Sequence, residues 1–225
     1  MLERHEDMTD TGTLEILLTA LHAVEDARPR TLQKELGRSS LGACKPQVVM
    51  KLMGIDAINP VERLPSIMGT AIHAAIEQAL DAAGHEHAEL EVPGIPGLLG
   101  PGHIDFYQPN RKTITDWKTT KKSNLKYFPK PAMLWQVHTY GYLASLAGYG
   151  VEFVELVGIA RDGTSRDIKL HREPYDETVA LEAIEWLRER DREACAGVIP
   201  PPEMKAAYFC RDYCPFYGPS LCPGL

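Results

Sequence analysis

Asp105, Asp116 and Lys118 are the residues of this 225-residue chain whose types and spacing most directly invite chemistry. They lie in GHIDFYQPNRKTITDWKTTKK, residues 102 to 122. Two short apolar runs flank Pro109-Asn110, and each carries a carboxylate where a strand ordinarily places something apolar or neutral. If Pro109-Asn110 is a two-residue turn, residue 106 faces 113 and residue 105 faces 114. Alternation then gathers 105, 114, 116 and 118 on one face, with the carboxylates diagonal and the lysine one step beyond. Carboxylates so placed can share Mg²⁺ or Mn²⁺, which neutralises charge building on a phosphodiester and acidifies a water. A lysine beside the ion can orient that water or steady the transition state. A one-residue slip would undo the alignment, and the same residues also suit the charged face of an ordinary hairpin.

Other residues bear on the choice. His73 and Glu77 stand at i, i+4 on one predicted helix, and Gln136 and Tyr140 do so on a later one. Alone, each pair also reads as structural. The cysteines are Cys44, Cys195, Cys210, Cys214 and Cys222. The last three form C-x3-C-x7-C in a Pro-rich, loop-like tail, and a tetrahedral site needs a fourth thiolate. Cys44, in an N-terminal loop, is the better fourth member, because Cys195 ends a charged helix. Zinc, an Fe4S4 cluster and free thiols all remain open on these grounds. Such a site would pin the two ends of the chain together.

The net charge of −7 excludes whole-surface attraction to nucleic acid, yet its distribution is uneven. From Arg111 to Lys130 there are seven basic residues and one acid, Asp116. This stripe suits a polyanion, and equally a solvated lysine-rich loop. Within it, Tyr127 or Phe128 can stack on a base or simply pack the loop. No apolar run approaches a membrane span, and the acidic start MLERHEDMTD lacks the features of a secretory signal, so a cytoplasmic protein is expected. GRSSLG is no phosphate loop, since Ala43 follows where a Walker lysine would stand.

The elements that must position these groups follow from periodicity and breakers. Leu14, Leu17, Leu18, Leu21 and Val24 predict an amphipathic helix over 13–24. Residues 38–54 read as a loop holding Cys44 and then a short helix. Ser66 is a candidate cap for a helix ending near Gly84. Strands are predicted near 89–92, over HIDFY and over TITDW, then a helix over 131–148 opened by Pro and closed by Gly. VEFVELVGIA and RDIKLH read as a hairpin about Asp162-Gly163, followed by a helix over 176–194. One domain over 1–225 is expected: a helical segment at 1–37, a core at 66–196, and a cysteine-bearing periphery at 38–65 and 197–225.

Taken in order, Cys44, G-x-x-x-H at Gly69–His73, G-x-I-D at Gly102–Asp105, D-x-K at Asp116–Lys118, Q-x-x-x-Y at Gln136–Tyr140 and three terminal cysteines resemble a known family. It is the RecB-type branch of the PD-(D/E)xK nucleases, in the iron–sulfur subgroup that includes the CRISPR-associated RecB-like exonuclease and the AddB nuclease domain. Ile104 stands where the superfamily's Pro would be, and the tail cysteines are more widely spaced than in the subgroup. The resemblance implies a restriction-endonuclease-like α/β fold, a mixed β-sheet flanked by helices. It implies metal-dependent hydrolysis of DNA, as an exonuclease on single strands or frayed ends. His73, Asp105 and Asp116 would bind Mg²⁺ or Mn²⁺, with the Trp117 carbonyl as a further ligand and Lys118 as the catalytic lysine. Gln136 and Tyr140 would support the site or the DNA. Cys44, Cys210, Cys214 and Cys222 would hold an Fe4S4 cluster, with zinc as the other occupant, and a helicase, recombination or CRISPR-adaptation protein would be the partner. The alternative is a non-catalytic module of the same fold that binds DNA or a partner protein.

Overall fold

A computed structural model describes residues 11–26, 36–60, 62–86, 88–202 and 207–224. The chain forms two compact units, Met1–Gln33 and Lys34–Leu225. In the first, α1 spans Thr11–Asp26, two residues beyond the expected helix at each end. Its Ile16, Leu17, Leu18 and Val24 are exposed.

The second unit is built on a five-stranded sheet in the order β1-β2-β3-β4-β5. The strands are β1 (Ala88–Val92), β2 (Gly102–Gln108), β3 (Thr113–Thr120), β4 (Phe153–Ala160) and β5 (Ile168–Pro174). β3 and β4 run parallel, and all other neighbours are antiparallel, so the sheet is mixed. A parallel step needs a crossover, and α4 (Pro131–Leu146) supplies it. Pro131 in its first turn and Gly148 just past its end, at φ +92°, fix its limits as the sequence requires. Val137, Tyr140, Leu143 and Ala144 of α4 close the main core against Tyr107, Ile114, Val154 and Leu156 of the sheet. Behind α4 lies α5 (Glu177–Cys195), whose first amides are capped by Asp176, and α2 (Lys45–Leu52) packs on α5. The helix α3 (Leu64–Ala82) packs against β1 and β3. A short helix, α6 (Ala207–Tyr213), begins the cysteine-bearing tail. This is the mixed α/β arrangement expected from the sequence. No helix among the described residues is long and apolar enough to cross a membrane.

Three local expectations are corrected. α3 starts at Leu64 rather than after a Ser66 cap: Pro65 pre-sets the first turn, and Glu62 Oε1 accepts the Leu64 N–H at 2.8 Å. The β4–β5 connection is longer than an Asp162-Gly163 turn, because a 3₁₀ turn over Ser165–Asp167 is closed by a reciprocal cap between Thr164 and Asp167. The β2–β3 register also differs. Pro109–Arg111 form a 3₁₀ turn and Lys112 takes a left-handed conformation (φ 46°), so the loop is wider than two residues. Phe106 therefore pairs with Thr115 rather than with 113, a shift of two. Side chains alternate with period two, so an even shift leaves every residue on its expected face.

Where β3 meets β4, a buried charge ties three strands together. Glu155, 4% exposed, accepts hydrogen bonds from Thr115 Oγ1 at 3.1 Å, Arg172 Nη1 at 2.9 Å and Arg111 Nη2 at 3.2 Å. Glu155→Ala is expected to lower stability by about 2 kcal/mol in urea unfolding. Its arginines are part-exposed and can rehydrate, which keeps the loss below that of a fully buried pair.

Candidate active site

The register places Asp105 across from Asp116, but the β2–β3 pairing stops one step earlier, at Phe106–Thr115. Beyond that point the Asp105 side chain takes the place of the ladder. Its Oδ2 accepts the Trp117 backbone N–H at 2.7 Å, and its Oδ1 lies 3.1 Å from His73 Nδ1. His73 comes from α3, brought over β3 by the close approach of Gly69 to Thr119, where an added Cβ would stand 3.3 Å from the hydroxyl. The hydrogen bond to Asp105 is the largest influence on the imidazole, and it raises the His73 pKa against the opposing effect of burial.

Asp116 is 3% exposed. Burial pushes its carboxyl up to about 6, with Asp105 acting in the same direction and Lys118 and His73 opposing. Lys118 Nζ stands 2.6 Å from Asp116 Oδ2 and donates to Gln136 Oε1 at 2.8 Å. Asp116 Oδ2 is thus a buried oxygen whose close partner is Lys118 Nζ. Gln136 in turn reaches Tyr140, one helical turn on. The Tyr140 phenol is 8% exposed, and burial, with Asp116 next, drives its pKa upward. The structure thus brings His73, Asp105, Asp116, Lys118, Gln136 and Tyr140 into one connected cluster, with the Trp117 amide stitched to it.

One member of this neighbourhood was missing from the sequence reading. Arg38, 3% exposed, donates to Gly100 O at 3.0 Å and Pro93 O at 2.9 Å, and its guanidinium carbon lies 5.2 Å above the Tyr140 ring. It backs the cluster from the 3₁₀ turn Arg38–Ser40. Glu77, noted beside His73, turns away toward Glu89, whose hydrogen bond joins burial in raising its pKa.

Cys44, Cys210, Cys214 and Cys222 are all buried and outside any disulfide, whereas Cys195 is exposed. Burial pushes the Cys214 thiol up, and Cys44, Cys222 and Cys210 each add to that shift, so the four share one neighbourhood. Cys44 arrives as the residue before α2, and the other three arrive through α6 and the loop after it. Among the described residues, no three His, Cys, Asp or Glu side chains stand in an arrangement that would hold a metal ion. The carboxylates are turned instead to His73, the Trp117 amide and Lys118.

The sheet and its flanking helices define a mixed α/β fold, with the carboxylate–lysine cluster set on its strands β2 and β3 and on two of its helices. Comparison with solved structures gives the particulars. The crystal structure of the protein SSO0001 is 20% identical and covers 94% of this chain and 96% of its own, with a TM-score of 0.56. That likeness shows a shared fold over nearly the whole length. An alkaline exonuclease from Laribacter hongkongensis is 15% identical over 73% of this chain and 89% of its own, with a TM-score of 0.49. A phage-related exonuclease from Haemophilus somnus 129PT is 14% identical over 71% and 92%, with a TM-score of 0.41. No family model matches the chain, and no curated protein does.

Proposed function

We propose that this chain is a divalent-metal-dependent DNA nuclease, acting as an exonuclease on single strands or frayed ends. One observation carries the reading. Two strands and one helix converge two carboxylates, an imidazole and a lysine, with Asp116 buried and Lys118 2.6 Å from its Oδ2. A buried carboxylate beside a second carboxylate and an imidazole is a hard donor set that fits a hard dication. Asp105, Asp116, His73 and the Trp117 carbonyl would hold Mg²⁺ or Mn²⁺, which supplies charge neutralisation at phosphate oxygens and acidifies a water. Lys118 Nζ is held in the site between Asp116 and Gln136. There it orients the attacking water and offsets negative charge on the phosphate oxygens as the leaving oxygen is displaced from phosphorus. Gln136 fixes Lys118, and Tyr140 fixes Gln136. The non-catalytic alternative is disfavoured because every one of these side chains is present and mutually engaged.

The test is a time course on end-labelled linear and circular single-stranded DNA with Mg²⁺ and Mn²⁺ in turn. Short products from the linear substrate alone, abolished by EDTA, are expected. DNA that is bound but never cut with either metal would overturn the reading.

We further infer that the four buried thiols hold an Fe4S4 cluster. A soft, four-thiol donor set drawn from both ends of the unit supports it. Anaerobically purified protein is expected to be brown, with roughly four iron and four sulfide per chain. Cys195→Ser should keep that content and Cys214→Ser should lose it. Colourless, zinc-loaded protein would replace the cluster with a zinc site.

A further inference from the structure

Beyond β3 the chain enters a 3₁₀ turn, Lys122–Tyr127, and its side chains sort sharply. Leu125 is buried at 6% exposure, while Tyr127, two residues on, is 61% exposed. Phe128 turns inward onto Gly158, where an added Cβ would come within 3.1 Å of its ring. Gly158 pairs with Lys118 across the parallel β3–β4 step, so Phe128 packs on the strand position next to the lysine of the candidate site. Its sequence neighbour Tyr127 is thereby anchored next to a side chain packed on β4. The turn is held at three further points. Lys169 Nζ donates to Leu125 O at 2.8 Å, the Lys122 N–H donates to Asp162 Oδ1 at 2.7 Å, and Lys122 Nζ pairs with Asp167 at 2.9 Å.

An exposed aromatic on an anchored turn loses little freedom when something stacks on it. Its surroundings select the partner. Lys126 Nζ sits 4.8 Å from the Tyr127 ring centroid. Among the described residues, no carboxylate pairs with Lys121, Lys126 or Lys130, whereas the charge of Lys122 is already met by Asp167. An open ring flanked by unneutralised lysines suits a flat group on a polyanionic backbone.

We propose that Tyr127 is a stacking platform for a base of single-stranded DNA, with Lys121, Lys126 and Lys130 contacting the phosphates on either side. Phe128 takes no part in stacking and serves to seat the turn on β4. The inference rests on the reading of the same site as one that acts on DNA. It assigns to Tyr127 the positioning of a strand, not chemistry. Unpaired bases can reach a protruding ring, whereas bases stacked in a duplex cannot, so the platform favours single strands or frayed ends.

The experiment is equilibrium binding of a fluorescein-labelled single-stranded oligonucleotide, in EDTA and at fixed salt, to wild type, Tyr127→Phe and Tyr127→Leu. Tyr127→Leu is expected to weaken binding about 10-fold, and Tyr127→Phe to stay within about 2-fold of wild type, since stacking needs the ring and not the hydroxyl. In cleavage assays Tyr127→Leu should raise KM by a similar factor with kcat nearly unchanged. Equal binding by Tyr127→Leu and wild type, or equal loss in the Phe and Leu variants, would overturn the platform. Ring-dependent binding without cleavage by wild type would sink the nuclease reading and leave the platform standing. Cleavage with an unmoved KM in Tyr127→Leu would do the reverse.

Discussion

Asp116→Asn is expected to abolish metal-dependent DNA digestion, by about 10³-fold or more, while making the metal-free protein more stable at neutral pH. The two effects have one cause. Asp116 is held in the core, and burial raises its carboxyl from 3.8 to about 6. A folded-state pKa above the unfolded one means that the native state binds the proton more tightly. The ionised carboxylate therefore costs stability at every pH above about 6, and the cost is relieved as pH falls through 6 towards 4. A rise of about two units corresponds to roughly 3 kcal/mol at neutral pH, as an order of magnitude. Asn keeps the shape and removes the charge. Its unfolding free energy in EDTA should exceed wild type at pH 8 and converge with it near pH 4. Lys118→Ala should lose activity by about 10²–10³-fold but move stability the other way, because it leaves the Asp116 carboxylate buried without its counter-charge. Opposite stability shifts with a shared loss of activity are what a functional, internally strained ion pair predicts. Either variant digesting DNA at the wild-type rate would remove that residue from the chemistry.

The same pair shows why so much of the site was legible in the sequence. Carboxylates and a lysine inside apolar runs contradict the burial rule for strands, and a contradiction of that kind is visible without coordinates. Helical spacing likewise linked Gln136 to Tyr140 and set His73 on a helix, and the structure brings all three to the carboxylates. The exact pairing of β2 with β3 was not legible, since it depends on Lys112 adopting a positive φ that favours glycine or asparagine over lysine. The face survived because the resulting shift was even. The role of the Asp105 carboxylate in replacing a ladder bond to Trp117 was equally hidden, because it involves a backbone amide and backbone amides carry no sequence signature. Arg38 was missed for a similar reason. Its partners are the carbonyls of Pro93 and Gly100, about sixty residues on, and any residue type supplies a carbonyl.

Arg38 also explains a glycine that had looked like a motif letter. Gly102→Ala is expected to destabilise the protein by about 3 kcal/mol and to lower activity with it. An added Cβ at 102 would stand 2.0 Å from Arg38 Nη1 and 2.8 Å from its guanidinium carbon. Backbone freedom is not the reason, since Gly102 is not among the positive-φ glycines. Elsewhere an arginine tip would swing aside cheaply. Here it is 3% exposed, held to two carbonyls and stacked over Tyr140, so moving it strands buried acceptors and unsettles the ring behind Gln136 and Lys118. If the clash is the cause, the cost belongs to the pair. In an Arg38→Ala background the same glycine substitution should cost only about 0.5 kcal/mol, so urea unfolding of the double variant should fall well short of the sum of the singles. Strictly additive losses would show that Gly102 is needed for the path of β2 itself. Non-additive ones would make Gly102 the space through which an arginine braces the floor of the site.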